Sequence, residues 1–176
     1  MNPFEAGKRK VVPACLLYAR SNGHVLMLHR NARGAKGRSD VHRGKWNGVG
    51  GKFELGESPL EAARREFWEE AGLRPAAAAF QPLGVLQFPN FKAAQAEDWL
   101  VYVFAVALKP RRPVRAGPFK TISEGDLHWV PAGQVLKLPL WEGDRKFIPL
   151  VLARRPFVGT FWYEQGRLKR TWLKTL

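Results

Sequence analysis

The chain has 176 residues, of which 45% are hydrophobic and 25% charged, with 29 lysines and arginines against 15 aspartates and glutamates. This length suits one compact domain, and the composition excludes general disorder. The net charge of +14 indicates an anionic partner or substrate, and both nucleic acids and nucleotides would respond to such a field.

No apolar run reaches the roughly 18 residues of a membrane span, and the N-terminus lacks the apolar core of a signal peptide. We therefore expect a cytoplasmic domain over residues 1–176, with residues 1–10 as a basic extension, as a monomer or homodimer. The basic clusters at residues 8–10, 111–115 and 167–174 suit a solvated surface as well as a polyanion site. Zinc-finger spacing and RNA-recognition signatures are missing, so nucleic acid is a possible partner but not the expected one.

The first half of the chain predicts a β-hairpin followed by a polar loop. Residues 11–18 read as a buried strand, and residues 25–29 supply its partner after the turn Ser21-Asn22-Gly23. Residues 31–44 form a long basic loop of the kind associated with function or mobility. The glycine-rich residues 46–53 predict a tight turn.

The clearest helix in the sequence is Pro59–Ala71. Ser58 is a good N-cap, Pro59 suits the first helical position, and Glu61 completes a capping box. Gly72 suits the C-terminal stop.

The second half predicts further strands and one more helix. Strands are expected at residues 83–88, 99–108 and 126–130, a loop at 109–121, a helical turn at 132–136, a helix at 145–153, and a closing hairpin formed by Phe157–Glu164 and residues 168–173. Strands that flank two helices in mixed order favour an α/β or α+β sandwich.

Three carboxylates share one face of the predicted helix. Glu66 and Glu70 stand four residues apart and Glu69 lies three residues after Glu66, so all three fall within an arc of about 100°. Leu60, Ala63, Phe67 and Ala71 form an adjacent apolar face that can pack on a sheet. A solvated acidic face is the ordinary interpretation of such a cluster. In a chain so poor in acids, directly after a glycine-rich turn, a site for a hard divalent cation is the better hypothesis.

The segment GKFELGESPLEAARREFWEEAGL resembles the Nudix box at every fixed position. The matching residues are Gly51, Glu57, Arg65, Glu66, Phe67, Glu69, Glu70, Gly72 and Leu73. The resemblance implies a Nudix-type α/β/α sandwich with a mixed β-sheet. It also implies a hydrolase that activates water for attack on phosphorus and releases a nucleoside monophosphate and pyrophosphate or phosphate.

The resemblance also implies roles for individual residues. Mg²⁺ or Mn²⁺ would be bound by Glu66, Glu69 and Glu70, supplemented by the carbonyl of Gly50 or Gly51 and by Glu124. Arg65 and Glu57 would orient the loop and the helix. Glu66 and Glu69 are the catalytic candidates, although the general base varies within the family and the sequence does not assign it.

Outside the box, the chain is similar to the MutT-like branch, whose members sanitise oxidised purine nucleotides such as 8-oxo-dGTP. The segments around Asn47, Glu124 and Trp141, together with the stretch FVGTF at residues 157–161, carry this similarity. Asn47 offers an amide to a purine edge, Trp141 a stacking face and Asp144 a carboxylate. Arg30 and Lys52 would attract the phosphates. Gly143 departs from the pattern, because the branch has paired acids after this tryptophan.

Other functions remain open at this point. Pro89 lies where enzymes acting on ADP-ribose carry a proline, which leaves a diphosphatase of ADP-ribose or dinucleoside polyphosphates as an alternative. The basic loop and the charge would suit hydrolysis of RNA 5′ ends. A non-catalytic nucleotide sensor is disfavoured, since a sensor needs no complete set of metal-binding glutamates.

Overall fold

The computed structural model describes residues 2, 4, 6–30, 43–109 and 118–176. Most of the predicted loop at residues 31–44 and of that at 109–121 lies outside the described residues. The basic cluster at residues 111–115 also lies outside them.

A mixed β-sheet forms the centre of the described part of the chain. Its strands are β1 (Lys10–Ser21), β2 (His24–His29), β3 (Trp46–Asn47), β4 (Phe80–Lys92), β5 (Glu97–Ala107), β6 (Lys120–Ile122), β7 (Gly125–Pro131), β8 (Phe157–Glu164) and β9 (Arg167–Thr175). They follow the order β6-β7-β2-β1-β5-β4-β8-β9, and β3 pairs with β2. The pairs β1/β5 and β4/β8 are parallel and the others antiparallel, which confirms the expected mixed sheet.

The two faces of the sheet are covered by different helices, α1 (Pro59–Ala71) and α2 (Asp144–Leu152). Because successive strand residues point to opposite faces, Cys15 and Leu17 of β1 pack in the cluster that contains Phe67 of α1. Tyr18 belongs instead to the cluster that contains Phe147 of α2. The structure thus has the three layers of the expected α/β/α sandwich.

Helix α1 has the predicted boundaries and the predicted caps. The Ser58 N–H donates to Glu61 Oε2 at 2.9 Å, and the Ser58 hydroxyl accepts from the Glu61 N–H, which completes the capping box. Gly72 adopts a left-handed conformation with φ of 70°, and its N–H donates to the Trp68 carbonyl. Lys120 Nζ donates to the Glu69 carbonyl at 3.1 Å, so a basic side chain from β6 binds the C-terminal turn of the helix.

Several predicted boundaries were wrong. Strand β4 extends to Phe80–Lys92, past Pro82 and Pro89, because register shifts against β5 accommodate both prolines. Lys120 and Thr121 belong to strand β6, not to the predicted loop. Helix α2 begins at Asp144, one residue early, and the helical turn is a 3₁₀ helix over Ala132–Lys137.

Within the described ranges, no helix is both long and apolar enough to cross a membrane.

Candidate active site

The acidic residues of α1 meet the β6–β7 turn around one cavity. The cavity has a volume of about 340 Å³ and is lined by Glu66, Glu69, Glu70, Ile122, Ser123 and Glu124. The structure therefore brings together the three box glutamates and the more distant Glu124, as the sequence predicts. Glu124 comes from the turn between β6 and β7, a hairpin that the sequence analysis had assigned in part to a loop.

Glu70 is the most buried of these carboxylates, with 8% of its surface exposed. The Gly50 N–H donates to its Oε2 at 2.8 Å. Burial raises the pKa of Glu70 to about 8; the charges of Glu66 and Glu124 act in the same direction, against the Gly50 hydrogen bond and the Arg30 guanidinium. The site thus holds more negative charge than its protein neighbours neutralise.

Arg65 connects the helix to the loop that precedes it. Its Nε and Nη2 donate to the two oxygens of Glu57 at 2.7 and 2.9 Å, and Nη2 also donates to the Lys52 carbonyl at 3.0 Å. Its Nη1 donates to Glu66 Oε1 at 2.9 Å and to Glu69 Oε2 at 3.2 Å. The Arg65 hydrogen bond holds the pKa of Glu57 below its ordinary value. This one side chain therefore fixes the loop and two of the box carboxylates relative to one another.

Glu66 and Glu69 differ in exposure, with 14% and 53% of their side-chain surfaces accessible. Burial raises the pKa of Glu66, and the charges of Glu69 and Glu57 add to this effect, while Arg65 opposes it. Glu69 is thus the most solvent-exposed of the three box carboxylates, all of which line the cavity.

The donor set fits a divalent cation chemically. Four carboxylates around one cavity offer the oxygen ligands that Mg²⁺ and Mn²⁺ prefer, and burial, with the charges of Glu66 and Glu124 added, raises the pKa of Glu70. In the described conformation the carboxylates turn towards protein donors, and no group of three acidic, histidine or cysteine side chains among the described residues is arranged to hold an ion. Binding would therefore require these side chains to rotate. The Gly51 carbonyl already accepts the Cys15 N–H at 2.8 Å.

Arg30, at the end of β2, lies close enough to the cavity for its charge to lower the pKa of Glu70. Its Nε is buried and has no hydrogen-bond partner in the part of the chain that the structure describes. A buried guanidinium N–H without a partner beside an acidic cavity is suited to a phosphate oxygen.

A second group of predicted residues lies at the N-terminal end of α2. Asp144 is buried, with 8% exposed, and Gly143 rather than Asp144 occupies the N-cap position of the helix. Burial raises the pKa of Asp144 to about 7, opposed by the positive charge of Lys45. Lys45 Nζ also lies 5.2 Å from the ring centroid of Trp141. Lys45 therefore lies near both Trp141 and Asp144.

Asn47 lies in β3, two residues after Lys45. Its Oδ1 is buried and accepts no hydrogen bond from any of the described residues. Buried polar atoms are rarely left without a partner, so this oxygen is a candidate ligand contact.

A row of aromatic rings that the sequence analysis missed continues from Trp141. We call it the aromatic row. Ring centroids are 6.0 Å apart for Trp141–Tyr163, 6.4 Å for Tyr163–Phe88, 5.6 Å for Phe88–Phe91 and 5.3 Å for Phe91–Trp99. All five side chains are partly exposed. Such rings offer stacking faces to a nucleobase.

The segment from Asn47 to Lys52 connects the acidic cavity with the aromatic row. It follows β1 through isolated bridges at Leu17–Val49 and Ala14–Lys52. Lys52 contacts both regions, because its carbonyl accepts from Arg65 and its Nζ lies 5.3 Å from the ring centroid of Trp99. The predicted phosphate-binding and base-binding residues are therefore joined by one short segment of backbone.

The chain also matches known proteins in sequence. The NUDIX domain model matches residues 8–151. The oxidized purine nucleoside triphosphate hydrolase of Mus musculus is 28% identical over 140 residues, which cover 80% of this chain and 83% of that protein. The phosphatase NudJ of Shigella boydii is 27% identical over 133 residues, which cover 74% of this chain and 73% of that protein.

Solved structures have a similar overall fold. The mutator MutT protein from Bacillus halodurans superposes with a TM-score of 0.73 at 26% identity, covering 92% of this chain and 97% of that chain. The MutT protein from Methanosarcina mazei superposes with a TM-score of 0.62 at 23% identity, covering 83% of this chain and 96% of that chain, which supports the fold alone. With the domain match spanning most of the sequence, the chain belongs to the Nudix family and is a hydrolase that acts on nucleotide phosphoanhydride bonds.

Proposed function

We propose that this chain is a Mg²⁺- or Mn²⁺-dependent, MutT-like pyrophosphohydrolase of purine nucleoside triphosphates. It would release a nucleoside monophosphate and pyrophosphate, and 8-oxo-dGTP is a candidate substrate. Relatives named as oxidized purine nucleoside triphosphate hydrolases support this class of substrate.

The proposal is carried by the buried Oδ1 of Asn47, which has no hydrogen-bond partner among the described residues and lies in the segment that leads to the acidic cavity. Near one end of this segment, Asp144 and Trp141 offer a carboxyl group and an aromatic face. Near the other end, Gly50 contacts Glu70. A nucleobase bound near Asn47 would direct the phosphates of its nucleotide along the segment towards Gly50 and the acidic cavity.

The phosphate end combines positive side chains with the acidic cavity. Arg30, whose Nε has no partner among the described residues, and Lys52, whose carbonyl accepts from Arg65, would bind phosphate oxygens. Arg65 holds Glu66 and Glu69 beside the cavity, and these carboxylates would rotate from Arg65 towards a cation when it binds. Glu69, the most accessible of the box carboxylates, is the candidate to take a proton from the attacking water.

A divalent cation held by Glu66, Glu69, Glu70 and Glu124 would neutralise phosphate charge and lower the pKa of a bound water. The raised pKa of Glu70 supports a cation there, since a positive charge would restore its ionised form.

The test is a substrate panel with Mg²⁺ and with Mn²⁺. It contains normal and 8-oxo (d)NTPs, ADP-ribose, dinucleoside polyphosphates and 5′-triphosphorylated RNA, with phosphate and pyrophosphate measured separately. Pyrophosphate release that is fastest on a purine triphosphate supports the proposal. Cleavage of ADP-ribose, dinucleotide or RNA without triphosphate turnover would refute it and leave the Nudix chemistry intact.

One observation favours dinucleoside polyphosphates as a second candidate. The Trp99 ring at the far end of the aromatic row has two ammonium groups near it, Lys52 Nζ at 5.3 Å and Lys92 Nζ at 5.1 Å from its centroid. A longer substrate with a second base could stack at this end while its phosphates contact the lysines. Faster turnover of a dinucleoside polyphosphate than of any triphosphate would favour this candidate.

A further inference from the structure

The hydroxyl of Tyr163 fills the space next to residue 143, in the segment that carries Trp141 and Asp144. The Gly143 N–H donates to Tyr163 Oη at 2.7 Å. A Cβ added to Gly143 would lie 2.6 Å from this oxygen and 3.0 Å from Cδ1 of Phe161. The missing side chain at position 143 is therefore what allows the hydroxyl to approach the backbone here.

The hydrogen bond from the Gly143 N–H determines whether the Tyr163 hydroxyl donates or accepts in its second hydrogen bond. Since Oη accepts the Gly143 N–H, the hydroxyl proton is available for donation to another acceptor. Burial raises the pKa of Tyr163 to about 12, and the charges of Asp144 and Glu142 act in the same direction. The phenol thus keeps its proton at neutral pH and remains a donor.

The position of Tyr163 places this donor among the base-binding candidates. Its ring contacts Trp141 edge to face at 6.0 Å and stacks near Phe88 at 6.4 Å, within the aromatic row. Asp144 directly follows Gly143, whose N–H donates to the Tyr163 hydroxyl, so an O–H donor and a carboxyl group belong to the same small region of the structure. Phe88 and Trp141 supply aromatic faces on either side of the Tyr163 ring.

A donor beside a carboxylate matches one kind of purine edge. A 6-oxopurine presents the acceptor O6 next to the donor N1–H, whereas a 6-aminopurine presents a donor amino group next to the acceptor N1. Asp144, whose pKa burial raises to about 7, accepts from N–H groups in its ionised form, and the Tyr163 hydroxyl donates to an oxygen. A 6-aminopurine would instead place its acceptor N1 against the carboxylate and offer no oxygen acceptor to the Tyr163 hydroxyl proton, which is costly in a buried site.

We propose that Tyr163 is a specificity-determining residue that selects 6-oxopurine over 6-aminopurine nucleoside triphosphates, with its hydroxyl donating to O6 while Asp144 accepts from N1–H. The inference rests on the proposed function, because it concerns the base end of that same site. It assigns the preference to a residue on β8, remote in sequence from the Nudix box.

The test compares kcat/KM of the wild type and Tyr163→Phe on dGTP, dITP, dATP and dCTP. The phenylalanine variant keeps the ring contacts and removes only the hydroxyl. We expect kcat/KM to fall about 10- to 100-fold on dGTP and dITP, as for loss of a hydrogen bond in a buried site, with less than about threefold change on dATP and dCTP. Tyr102→Phe is the matched control, because Tyr102 lies against Phe53 at a ring distance of 5.5 Å and outside the aromatic row.

Gly143→Ala provides a second variant. Its methyl group would displace the hydroxyl, so we expect the same loss of preference for 6-oxopurines. Calorimetric binding of GMP and AMP with Ca²⁺ gives a readout besides turnover, and both variants should weaken GMP binding selectively. Thermal melting checks that each variant is folded.

A purely structural role for Tyr163 would lower turnover equally on all four nucleotides, and that result would overturn the inference. An unchanged ratio between dGTP and dATP in Tyr163→Phe would also overturn it. Both of these results leave the proposed function standing if the wild type still releases pyrophosphate from purine triphosphates. Failure of the wild type on every triphosphate would instead remove the proposed function, and with it this inference.

Discussion

Arg65 binds Glu57 through two parallel hydrogen bonds, from Nε to Oε1 at 2.7 Å and from Nη2 to Oε2 at 2.9 Å. Glu57 Oε2 also accepts the Glu54 N–H at 2.7 Å, which ties the carboxylate to the loop. Since the same guanidinium binds Glu66 and Glu69, the pair transmits the position of the loop to the acidic cavity. Planar two-point recognition of this kind requires arginine, and lysine does not reproduce it.

Arg65→Lys and Glu57→Gln should each lower kcat/KM by about tenfold or more, as expected when residues that orient metal ligands are altered. The double variant should lose little more than the worse single variant, because either change breaks the same connection. Steady-state kinetics on the best substrate of the panel measure this. Fully additive losses would show that the two residues act independently.

Glu70→Gln should lower turnover by roughly 10²-fold or more while the fold is retained. Glutamine keeps an acceptor for the Gly50 N–H but removes the charge that a cation needs. Mg²⁺ should raise the melting temperature of the wild type and leave that of the variant unchanged. Glu164→Gln, at the exposed end of β8, is the matched control and should behave as wild type. A Glu70→Gln variant with near-wild-type activity would contradict the metal assignment.

Helix α1 could be predicted to the residue because its signals are local. Ser58, Glu61 and Gly72 fix its ends within a short stretch of sequence. The two prolines in β4 were misleading for the opposite reason. Pro82 and Pro89 suggest strand ends, yet β4 continues past both through register shifts against β5, and those depend on pairing between strands.

The aromatic row could not be predicted for the same physical reason. Phe88 meets the end of β5 because it is paired with Trp99 across the sheet. Tyr163 contacts Trp141 only when β8 pairs with β4 and α2 packs against the sheet. The Nudix box lies in one stretch of sequence, whereas the base end of the site is assembled from four separate stretches.

Gly50→Ala should destabilise the protein by about 3 kcal/mol or more. Gly50 has φ of +137°, and an added Cβ would lie 2.3 Å from the Cys15 carbonyl oxygen. Gly56→Ala is the matched control in the same region, since its φ is +85° and nothing lies within 4 Å of the added Cβ. It should cost only about 1 kcal/mol of backbone strain. Urea unfolding of the two variants checks the difference, and equal costs would show that the contact with β1 is relaxed easily.

Asn47→Ala should raise KM for purine triphosphates by about tenfold with a smaller change in kcat. The buried Oδ1 has no hydrogen-bond partner to lose within the described ranges, so the effect should come from the ligand. For the same reason, the free energy of unfolding should change by less than about 1 kcal/mol. Asn22→Ala in the turn between β1 and β2 serves as a control for the assay. An equal loss on purine and pyrimidine triphosphates would refute a role in base recognition.

The stability of the wild type should fall, relative to Asp144→Asn, as pH rises from about 4 to about 7. Burial raises the pKa of Asp144 to about 7, so the folded state binds this proton more tightly than the unfolded state does. Its stabilising contribution is therefore complete below the unfolded pKa of about 3.9 and is lost as pH rises through the folded value.

The difference in the free energy of unfolding should amount to no more than about 4 kcal/mol, since each pKa unit corresponds to about 1.4 kcal/mol. Lys45 opposes the shift, and the Tyr18 and Tyr163 hydroxyls, whose own pKa values are raised by burial and further by the charge of Asp144, stay protonated throughout this range. Urea unfolding of both proteins at several pH values isolates this one group, because the remaining carboxyls are common to both. Parallel pH profiles would show that Asp144 is ionised in the folded protein at acidic pH and that its carboxylate is better solvated than its burial implies.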